Sequence, residues 1–194
     1  MRLQRKDYQN GRYYHIYNRG AHRQSIFREK KNYLFVLKNM QKYMRELAIT
    51  VVAYCLLPNH YHFLLRQDGD NAAIMLPQYV FNSYSKAYNK SYDHSGTLFE
   101  GPAKPKLVGN DQYLLHLCRY IHANPVKHGL VQRLDEWPYS NYPEWTGERA
   151  GTLVDRTFVN DFFPNQGQYA EFVTDYLRDR TVLPSGLEMY MYDD

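Results

Sequence analysis

Residues 49–65 constrain the fold of this chain more than any other stretch. Two apolar runs, 49–57 and 60–65, are separated only by Pro58-Asn59, and Pro and Asn are typical turn residues. Continuous apolar runs of this length predict strands that are buried inside a sheet. The sequence therefore predicts two neighbouring buried strands joined by a tight turn.

The second of these strands carries two histidines, His60 and His62. Side chains alternate along a strand, so both imidazoles point to one face, whereas Tyr61 and Phe63 point to the other. Two imidazoles on one face can share a metal ion. The alternative, which this stretch alone leaves open, is that His60 only ends the turn and His62 is a hydrogen-bonded residue of the sheet.

Strand and helix patterns alternate along the first two thirds of the chain. The predicted order is a strand at 13–18, an amphipathic helix at 27–47, the two strands described above, a helix at 72–92, an irregular fourth strand from the segments 97–100 and 104–108, and a helix at 111–124. This βαββαβ order with an additional helix predicts an α+β fold, a ferredoxin-like or RRM-like antiparallel sheet with its helices on one face. Single-stranded nucleic acid can bind to the open face of such a sheet.

Individual residues set several of the predicted boundaries. Pro102 and Pro105 confine the fourth strand to an edge or a bulge of the sheet. Asp111 is expected to cap the third helix, and Pro125 is expected to end it at Asn124.

Beyond residue 131 the patterns weaken. We expect an aromatic loop at 136–142 that packs on the core, a short helix at 168–180 and a mobile acidic tail at 184–194. The predicted domains are 1–145, which contains the sheet and its helices, and a C-terminal extension, 146–194.

The third predicted helix carries a polar stripe. Residues three and four apart share a helix face, and Tyr113, His116, Tyr120 and Asn124 follow one such face. The helix is therefore expected to bury its apolar side and to present Tyr120 and Asn124 together on the other. By themselves these two residues are also consistent with a surface phenol and a helix stop.

The charge of the chain is distributed unevenly. Residues 1–66 contain 13 Lys and Arg against 3 Asp and Glu, residues 67–131 contain 6 against 5, and residues 132–194 contain 5 against 12. A basic N-terminal part predicts a polyanionic partner such as a nucleic-acid backbone, and the 20 tyrosines suit base stacking. An ordinary solvated helix surface remains the alternative for part of this charge.

Cysteine use and hydropathy bear on the compartment. Cys55 and Cys118 lie in apolar surroundings and form no CxxC pair, which predicts reduced structural thiols. No apolar run is long enough to cross a bilayer, and the N-terminus does not lead into the apolar segment of a signal peptide. We therefore expect a soluble cytoplasmic protein.

Two motifs in this sequence resemble those of a known family. His60-Tyr61-His62 matches the HUH motif (His, hydrophobic residue, His), and residues 119–126, Arg-Tyr-Ile-His-Ala-Asn-Pro-Val, resemble the tyrosine helix of single-tyrosine HUH transposases. The sequence resembles in particular the branch called REP-associated tyrosine transposases. Supporting matches lie at 11–20, 96–101, 129–131 and 137–142, so the resemblance covers about residues 11 to 145.

This resemblance implies a function and a set of site residues. Members of the family cut single-stranded DNA with a tyrosine nucleophile and a divalent metal ion. By position, His60, His62 and Asn124 would bind Mg²⁺ or Mn²⁺, and Tyr120 would form a 5′-phosphotyrosyl intermediate during strand transfer on hairpin-containing DNA. The protein would act as a monomer or a homodimer.

Basic residues near these motifs are candidate phosphate contacts, with solvated surface as the alternative. They are Arg12, Arg19, Arg23, Lys104 and Lys106. His116 and His122 could assist proton transfer, and Glu100 could act as a ligand or base, but a structural role is the simpler interpretation of all three.

Three other functions compete with DNA cleavage. The first is a non-catalytic RRM-like protein that binds nucleic-acid hairpins, although the complete set of candidate site residues argues against it. The second is an oxygenase with two histidines and one carboxylate, which the helical content and the basic half disfavour. A zinc deaminase is excluded because its HxE and PCxxC signature is absent from the sequence.

Overall fold

The computed structural model describes residues 7–178. The strands are β1 (Tyr13–Arg19), β2 (Ile49–Leu57), β3 (His60–Gln67) and β4 (Lys104–Leu107), and the helices are α1 (Lys30–Glu46), α2 (Met75–Tyr92), α3 (Asp111–Lys127), α4 (Tyr142–Trp145), α5 (Arg156–Phe162) and α6 (Gln166–Arg178). The predicted acidic tail lies outside the described residues, and the domain boundary after residue 145 stays a prediction.

The four strands form one antiparallel sheet in the order β2-β3-β1-β4. Together with the βαββαβ series this is the predicted ferredoxin-like arrangement, so the predicted fold class is confirmed. β4 is an edge strand and contains Pro105, which agrees with the limit that proline sets on strand position.

Helices cover both faces of the sheet, which corrects the prediction of an open face. Tyr61 and Phe63 point into a core with residues of α1 and α2. Leu57 and Leu64 point into a second core, which α3 forms with residues of α4, α5 and α6. Both faces are covered because β2 and β3 carry apolar side chains on both faces, and each face needs helices packed against it.

The structure differs from the prediction at both ends of α3 and in the fourth strand. Asn110 rather than Asp111 caps α3, and its side chain accepts a hydrogen bond from the Tyr113 amide at 2.8 Å. Pro125 lies inside α3, which continues to Lys127, so the proline removes one backbone donor from the last turns without ending the helix. Residues 97–100 form no strand and contribute a single bridge between Gly20 and Phe99.

The aromatic loop after α3 packs on the core, as predicted, and it also lies along the outer edge of β2. The Leu56 amide donates to the Tyr139 carbonyl at 2.9 Å, and the Trp137 indole donates to the Leu56 carbonyl at 3.0 Å. Cys55 and Cys118 are buried and form no disulfide. Within residues 7–178, no helix has the length and apolar character that crossing a bilayer requires.

Candidate active site

Helix α3 places Tyr120 directly against His62. The two ring centroids are 5.4 Å apart and the ring planes are nearly perpendicular, at 82°. Both side chains are buried, with 6% of Tyr120 and 1% of His62 exposed. Tyr120 therefore lies against the histidine strand, and the alternative interpretation of Tyr120 as a surface phenol does not hold.

The two histidines of β3 share the face predicted from strand alternation. Their ring centroids lie 5.2 Å apart. His60 Nδ1 lies 2.7 Å from Asn59 Oδ1, and because an amide oxygen only accepts, Nδ1 carries the proton. His62 Nδ1 lies 3.0 Å from His15 Nε2. These contacts make Nε2 the nitrogen of each ring that a metal ion would use.

Burial keeps both imidazoles neutral at physiological pH. Loss of solvation lowers the pKa of His60 to about 3, with nearby His128 and Arg19 adding to the effect. Burial also holds the pKa of His62 well below its ordinary value, and the neighbouring histidines lower it further. A neutral imidazole is the form that binds metal ions.

Asn124 lies between two contacts that α3 makes with the histidine pair. Tyr120 touches His62, and the His128 ring is 5.1 Å from the His60 ring. Asn124 is four residues from each along the same helix face. Its side chain is 1% exposed, and Nδ2 donates to the Tyr120 carbonyl at 2.7 Å. With Nδ2 used in this way, Oδ1 is the amide atom suited to a cation.

A divalent ion at the two histidines would need the side-chain amide of Asn124 as a third ligand. Among residues 7–178, no group of three or more His, Cys, Asp or Glu side chains is arranged to hold a metal ion. Two imidazole nitrogens and the Asn124 oxygen are a mixed set that Mn²⁺ accepts more readily than Mg²⁺, which prefers oxygen ligands.

Lys127 is a site residue that the sequence prediction missed. Its ammonium group lies 5.0 Å from the centre of the Tyr120 ring and 3.4 Å from the Tyr176 hydroxyl. The prediction ended the helix at Pro125, and so never placed Lys127 on the Tyr120 face. Extending the helix by one turn would have found it, because residues seven apart share a face.

His15 and Tyr17 on β1 were also missed. Tyr17 pairs with His62 in the register of β1 and β3, and the rings of His15 and His62 are stacked at 5.2 Å. Burial lowers the pKa of His15 to about 3, with a contribution from Lys106. Alternation along β1 shows that His15 and Tyr17 share a face of that strand. It does not show that β1 pairs with β3 so that this face is also the face of His60 and His62.

Four of the five predicted basic residues lie around the histidine face. Lys104 and Lys106 pair with Tyr17 and His15 across the edge of the sheet. Arg23 lines a cavity beside His60. Arg19 lies opposite His60 and makes a two-point ion pair with Glu100, at 3.0 and 3.1 Å.

Arg12 lies elsewhere, because it precedes the far end of β1, and it is exposed. The structure gives His116 and His122 structural contacts. His116 lies against the Arg119 guanidinium, and buried His122 lies between Asn141, at 2.8 Å, and the Tyr169 hydroxyl.

A ferredoxin-like sheet with a histidine pair facing a tyrosine helix defines a class of DNA-processing proteins, and comparison with known sequences identifies the family. The model of the family described as "Transposase IS200 like" matches residues 8–124, which span the whole sheet, the histidine pair, Tyr120 and Asn124. The chain belongs to this family of transposases.

Individual relatives point to one branch of the family. The chain is 33% identical to a Haemophilus influenzae protein named "Putative REP-associated tyrosine transposase", over 103 residues that cover 47% of this chain and 57% of that protein. It is 27% identical to the REP-associated tyrosine transposase of Escherichia coli K12, over 106 residues that cover 52% and 59%. The predicted resemblance to this branch is confirmed, and the chain spans less than two thirds of the length of these relatives.

A solved structure supports the fold. The REP-associated tyrosine transposase bound to a REP hairpin superposes with a TM-score of 0.63, covering 80% of this chain and 94% of that chain at 20% identity. At this identity the likeness concerns the fold alone.

Proposed function

We propose that this chain cuts and rejoins single-stranded DNA in a metal-dependent reaction that passes through a 5′-phosphotyrosyl intermediate, as a transposase of the REP-associated type. The observation that carries the proposal is the contact between the Tyr120 ring and His62, with Asn124 one helical turn further along the same face. A phenol beside two neutral imidazoles and an amide oxygen supplies both a nucleophile and a cation site.

In this proposal Tyr120 is the nucleophile. Its oxygen bonds to the scissile phosphorus while the bond from phosphorus to the 3′ oxygen breaks. The phenol proton passes to water, and the departing 3′ oxygen takes a proton from water, so protons balance. The phosphotyrosyl bond retains the energy of the phosphodiester, and attack by a 3′-hydroxyl reverses the step without ATP.

His60, His62 and Asn124 would hold Mn²⁺ or Mg²⁺ through Nε2, Nε2 and Oδ1. Such an ion, when bound, neutralises the phosphate and stabilises the leaving oxygen. Lys127 adds protein charge at the nucleophile. An ordinary phenol has a pKa of about 10 and attacks poorly at neutral pH, so a phenol nucleophile needs a cation beside it, and Lys127 holds one 5.0 Å from the centre of the Tyr120 ring.

The proposed substrate is single-stranded DNA that contains a hairpin. Support comes from the solved relative, which is bound to a REP hairpin, and from Arg19, Arg23, Lys104 and Lys106 around the histidine face. Because Tyr120 meets His62 of its own chain, a monomer would contain a complete site.

The direct test uses labelled hairpin-containing single-stranded DNA with Mn²⁺ and a denaturing gel. We expect a covalent protein–DNA adduct that disappears when the ion is chelated. Tyr120→Phe should abolish the adduct and keep DNA affinity within about twofold, because one hydroxyl contributes little to phosphate binding. Tyr79→Phe, at an exposed tyrosine of α2, is the matched control and should behave as wild type.

Two results would count against the proposal. An adduct that Tyr120→Phe still forms would show that another residue is the nucleophile. DNA binding without any adduct, over a range of hairpins and divalent ions, would instead support the non-catalytic hairpin-binding protein.

A further inference from the structure

A cavity of about 280 Å³ opens beside His60, and the function proposed above uses only His60 and Arg23 of its lining. Its walls come from three places: the turn between β2 and β3, the loop after β1, and the C-terminal end of α3. The side chains that matter for the argument are Arg23, Pro58, Asn59, His60, His128 and Leu130.

The lining suits a flat ring with a polar edge. Pro58 and Leu130 supply apolar surface, and 38% of Leu130 is exposed although it is a large apolar residue. Arg23 and Asn59 supply hydrogen-bonding groups. Apolar walls with a few polar groups are typical of small-ligand sites, and unpaired nucleobases are bound in this way. Sites for drug-sized ligands start at ~300 Å³, so this volume suits one nucleotide rather than a duplex.

The walls of the cavity are held in place before any ligand arrives. The amides of Ile26 and Phe27 both donate to the Pro58 carbonyl, at 2.7 and 2.9 Å, and the Gly20 amide donates to the Asn59 carbonyl at 2.8 Å. The loop after β1 is thereby fastened to the turn between β2 and β3.

Within this fastened loop the backbone is strained next to the cavity. His22 and Arg23 have φ values of 53° and 59°, in the left-handed region that side chains other than glycine rarely adopt. Strained backbone persists where surrounding contacts enforce it, and it concentrates at functional sites. Here it sets the position from which Arg23 reaches the cavity.

The position of the cavity along α3 indicates which nucleotide it would hold. Tyr120 lies at His62, and His128 lies at His60, about 12 Å further along the helix axis. The histidine pair therefore separates the nucleophile from the cavity. In an in-line displacement the leaving oxygen departs on the side of phosphorus opposite the nucleophile. With the scissile phosphate held at the histidine pair and Tyr120 at its His62 end, that side would be the His60 end, where the cavity lies.

We propose that this cavity binds the base of the nucleotide immediately 5′ of the scissile phosphate, the nucleotide whose 3′ oxygen leaves; this inference rests on the proposed function. The base lies between Pro58 and Leu130, and Arg23 contacts its polar edge or its phosphate. The cavity thereby keeps the released 3′-hydroxyl strand at the site until it rejoins, and it contributes to the choice of cleavage position.

The test is a double-mutant cycle between the base and the cavity. Cleavage is first mapped on a hairpin-containing oligonucleotide, and an abasic nucleotide is then placed either 5′ or 3′ of the cleaved bond. In the wild type, the 5′ abasic nucleotide should lower the rate of adduct formation at subsaturating DNA by about tenfold, a loss typical of one stacked base. In the double variant Arg23→Ala, Leu130→Ala it should lower the rate by less than about twofold, because the binding surface is already gone.

Matched controls test whether the effect belongs to the cavity. Arg28→Ala and Leu34→Ala remove an arginine stacked over Tyr92 and an exposed leucine of α1, neither of which lines the cavity. These variants should retain the full abasic effect. Since Arg23 and Leu130 are both exposed, their replacement is expected to leave the thermal melt unchanged.

A binding assay separates this inference from the proposed cleavage. Tyr120→Phe is titrated with oligonucleotides that carry single abasic sites, and fluorescence anisotropy is measured. Suppose that no adduct ever forms, but that one abasic position lowers DNA affinity in the wild type and not in the cavity variant. The proposed cleavage is then rejected, and the proposed binding of a base in the cavity is supported. If abasic effects are equal in the wild type and the cavity variant at every position, the inference is overturned. Coupling to the 3′ nucleotide alone would overturn the assignment of the nucleotide.

Discussion

The imidazole of His15 fixes how His62 faces helix α3. His15 Nε2 lies 3.0 Å from His62 Nδ1, and the two rings stack on the same face of the sheet. A partner on one ring nitrogen orients the ring and determines which nitrogen meets the metal ion. His15 is therefore part of the proposed site although it belongs to neither motif.

Replacing His15 should lower the affinity for the metal ion while the protein still folds. We expect His15→Ala to lower Mn²⁺ affinity by about tenfold or more, the usual effect of removing a residue that orients a ligand. His15→Gln, which retains a hydrogen-bonding group, should lose less. Titration calorimetry provides the affinity, and His94→Ala, which removes a histidine paired with Asn89, is the control. Equal affinities for the wild type and His15→Ala would contradict this role.

Lys127 is predicted to act on the chemical step. Lys127→Ala should slow adduct formation by roughly 10- to 100-fold at saturating DNA, because it removes a charge held beside the nucleophile. Lys127→Arg should retain most of the rate. Lys42→Ala is a matched control, since the Lys42 ammonium lies 5.0 Å from the centre of the Tyr43 ring. A Lys127→Ala rate within about twofold of the wild type would exclude this role.

The sequence allowed some of these residues to be predicted and not others, for a physical reason. Strand alternation placed His60 and His62 on one face of β3, and helix spacing placed Tyr120 and Asn124 on one face of α3, but their proposed roles came from the family resemblance. His15 reaches the site through the pairing of β1 with β3, and the register of two strands distant in sequence cannot be read from either strand. Predicting Lys127 required the true length of α3, and Pro125 led the prediction to end the helix too early.

At the scale of elements, a buried polar network sets the position of α3. His122, which lies between Tyr120 and Asn124 in the chain, contacts Asn141 and the Tyr169 hydroxyl. Asn141 in turn accepts from the Tyr54 amide at 2.8 Å. The network therefore connects α3 to β2 and α6, and it fixes the rotation of the helix that carries Tyr120.

Removing Asn141 should be costly. Asn141 donates to the carbonyls of Val52 and Leu153, at 2.8 and 3.0 Å, in addition to its other contacts. Each buried group left without a partner costs about 1 to 3 kcal/mol, so Asn141→Ala should lower the free energy of unfolding by at least ~3 kcal/mol. Urea titration measures this. Asn39→Ala, which removes one side-chain bond to the Phe35 carbonyl, should cost under ~1.5 kcal/mol. Equal losses would contradict the network.

The helices of the sheet were predictable, whereas the cover on its second face was not. Periodicity predicted α1 and α2 because each has one apolar side. The helix α3 was also predicted, with a polar stripe along one face. In the structure α6 packs on it, and Tyr176 and Phe172 stack with Arg119 at 4.9 and 4.5 Å. The pattern of the α6 segment is weak. Tertiary contacts therefore decide which of its aromatic residues pack on α3.

At the scale of the whole molecule, residues beyond 145 complete the second core. Phe158, Tyr169 and Val173 are buried in the same cluster as Tyr120 and Trp145. The family match ends at residue 124, so this cover lies outside the matched part of the chain. Because these residues pack in the same core as Tyr120, we expect the candidate active site to need them.

Truncation tests that dependence and the predicted boundary after residue 145. A chain ending at 145 should lose its cooperative thermal unfolding and bind a hydrophobic dye, because α3 would expose the apolar surface that α5 and α6 cover. A chain ending at 178 keeps the core and should melt cooperatively. A cooperative, dye-free melt for the shorter chain would show instead that residues 1–145 form an independent domain.

The central claim, that Tyr120 forms the covalent bond to DNA, can be tested on the adduct itself. Trypsin cleaves after Arg and Lys, so Arg119 and Lys127 bound a peptide of residues 120–127 whose only tyrosine is Tyr120. After the adduct is digested with nuclease and trypsin, mass spectrometry should find the nucleotide on this peptide. A nucleotide on a peptide that contains Tyr17 or Tyr176 instead, with residues 120–127 unmodified, would contradict the account.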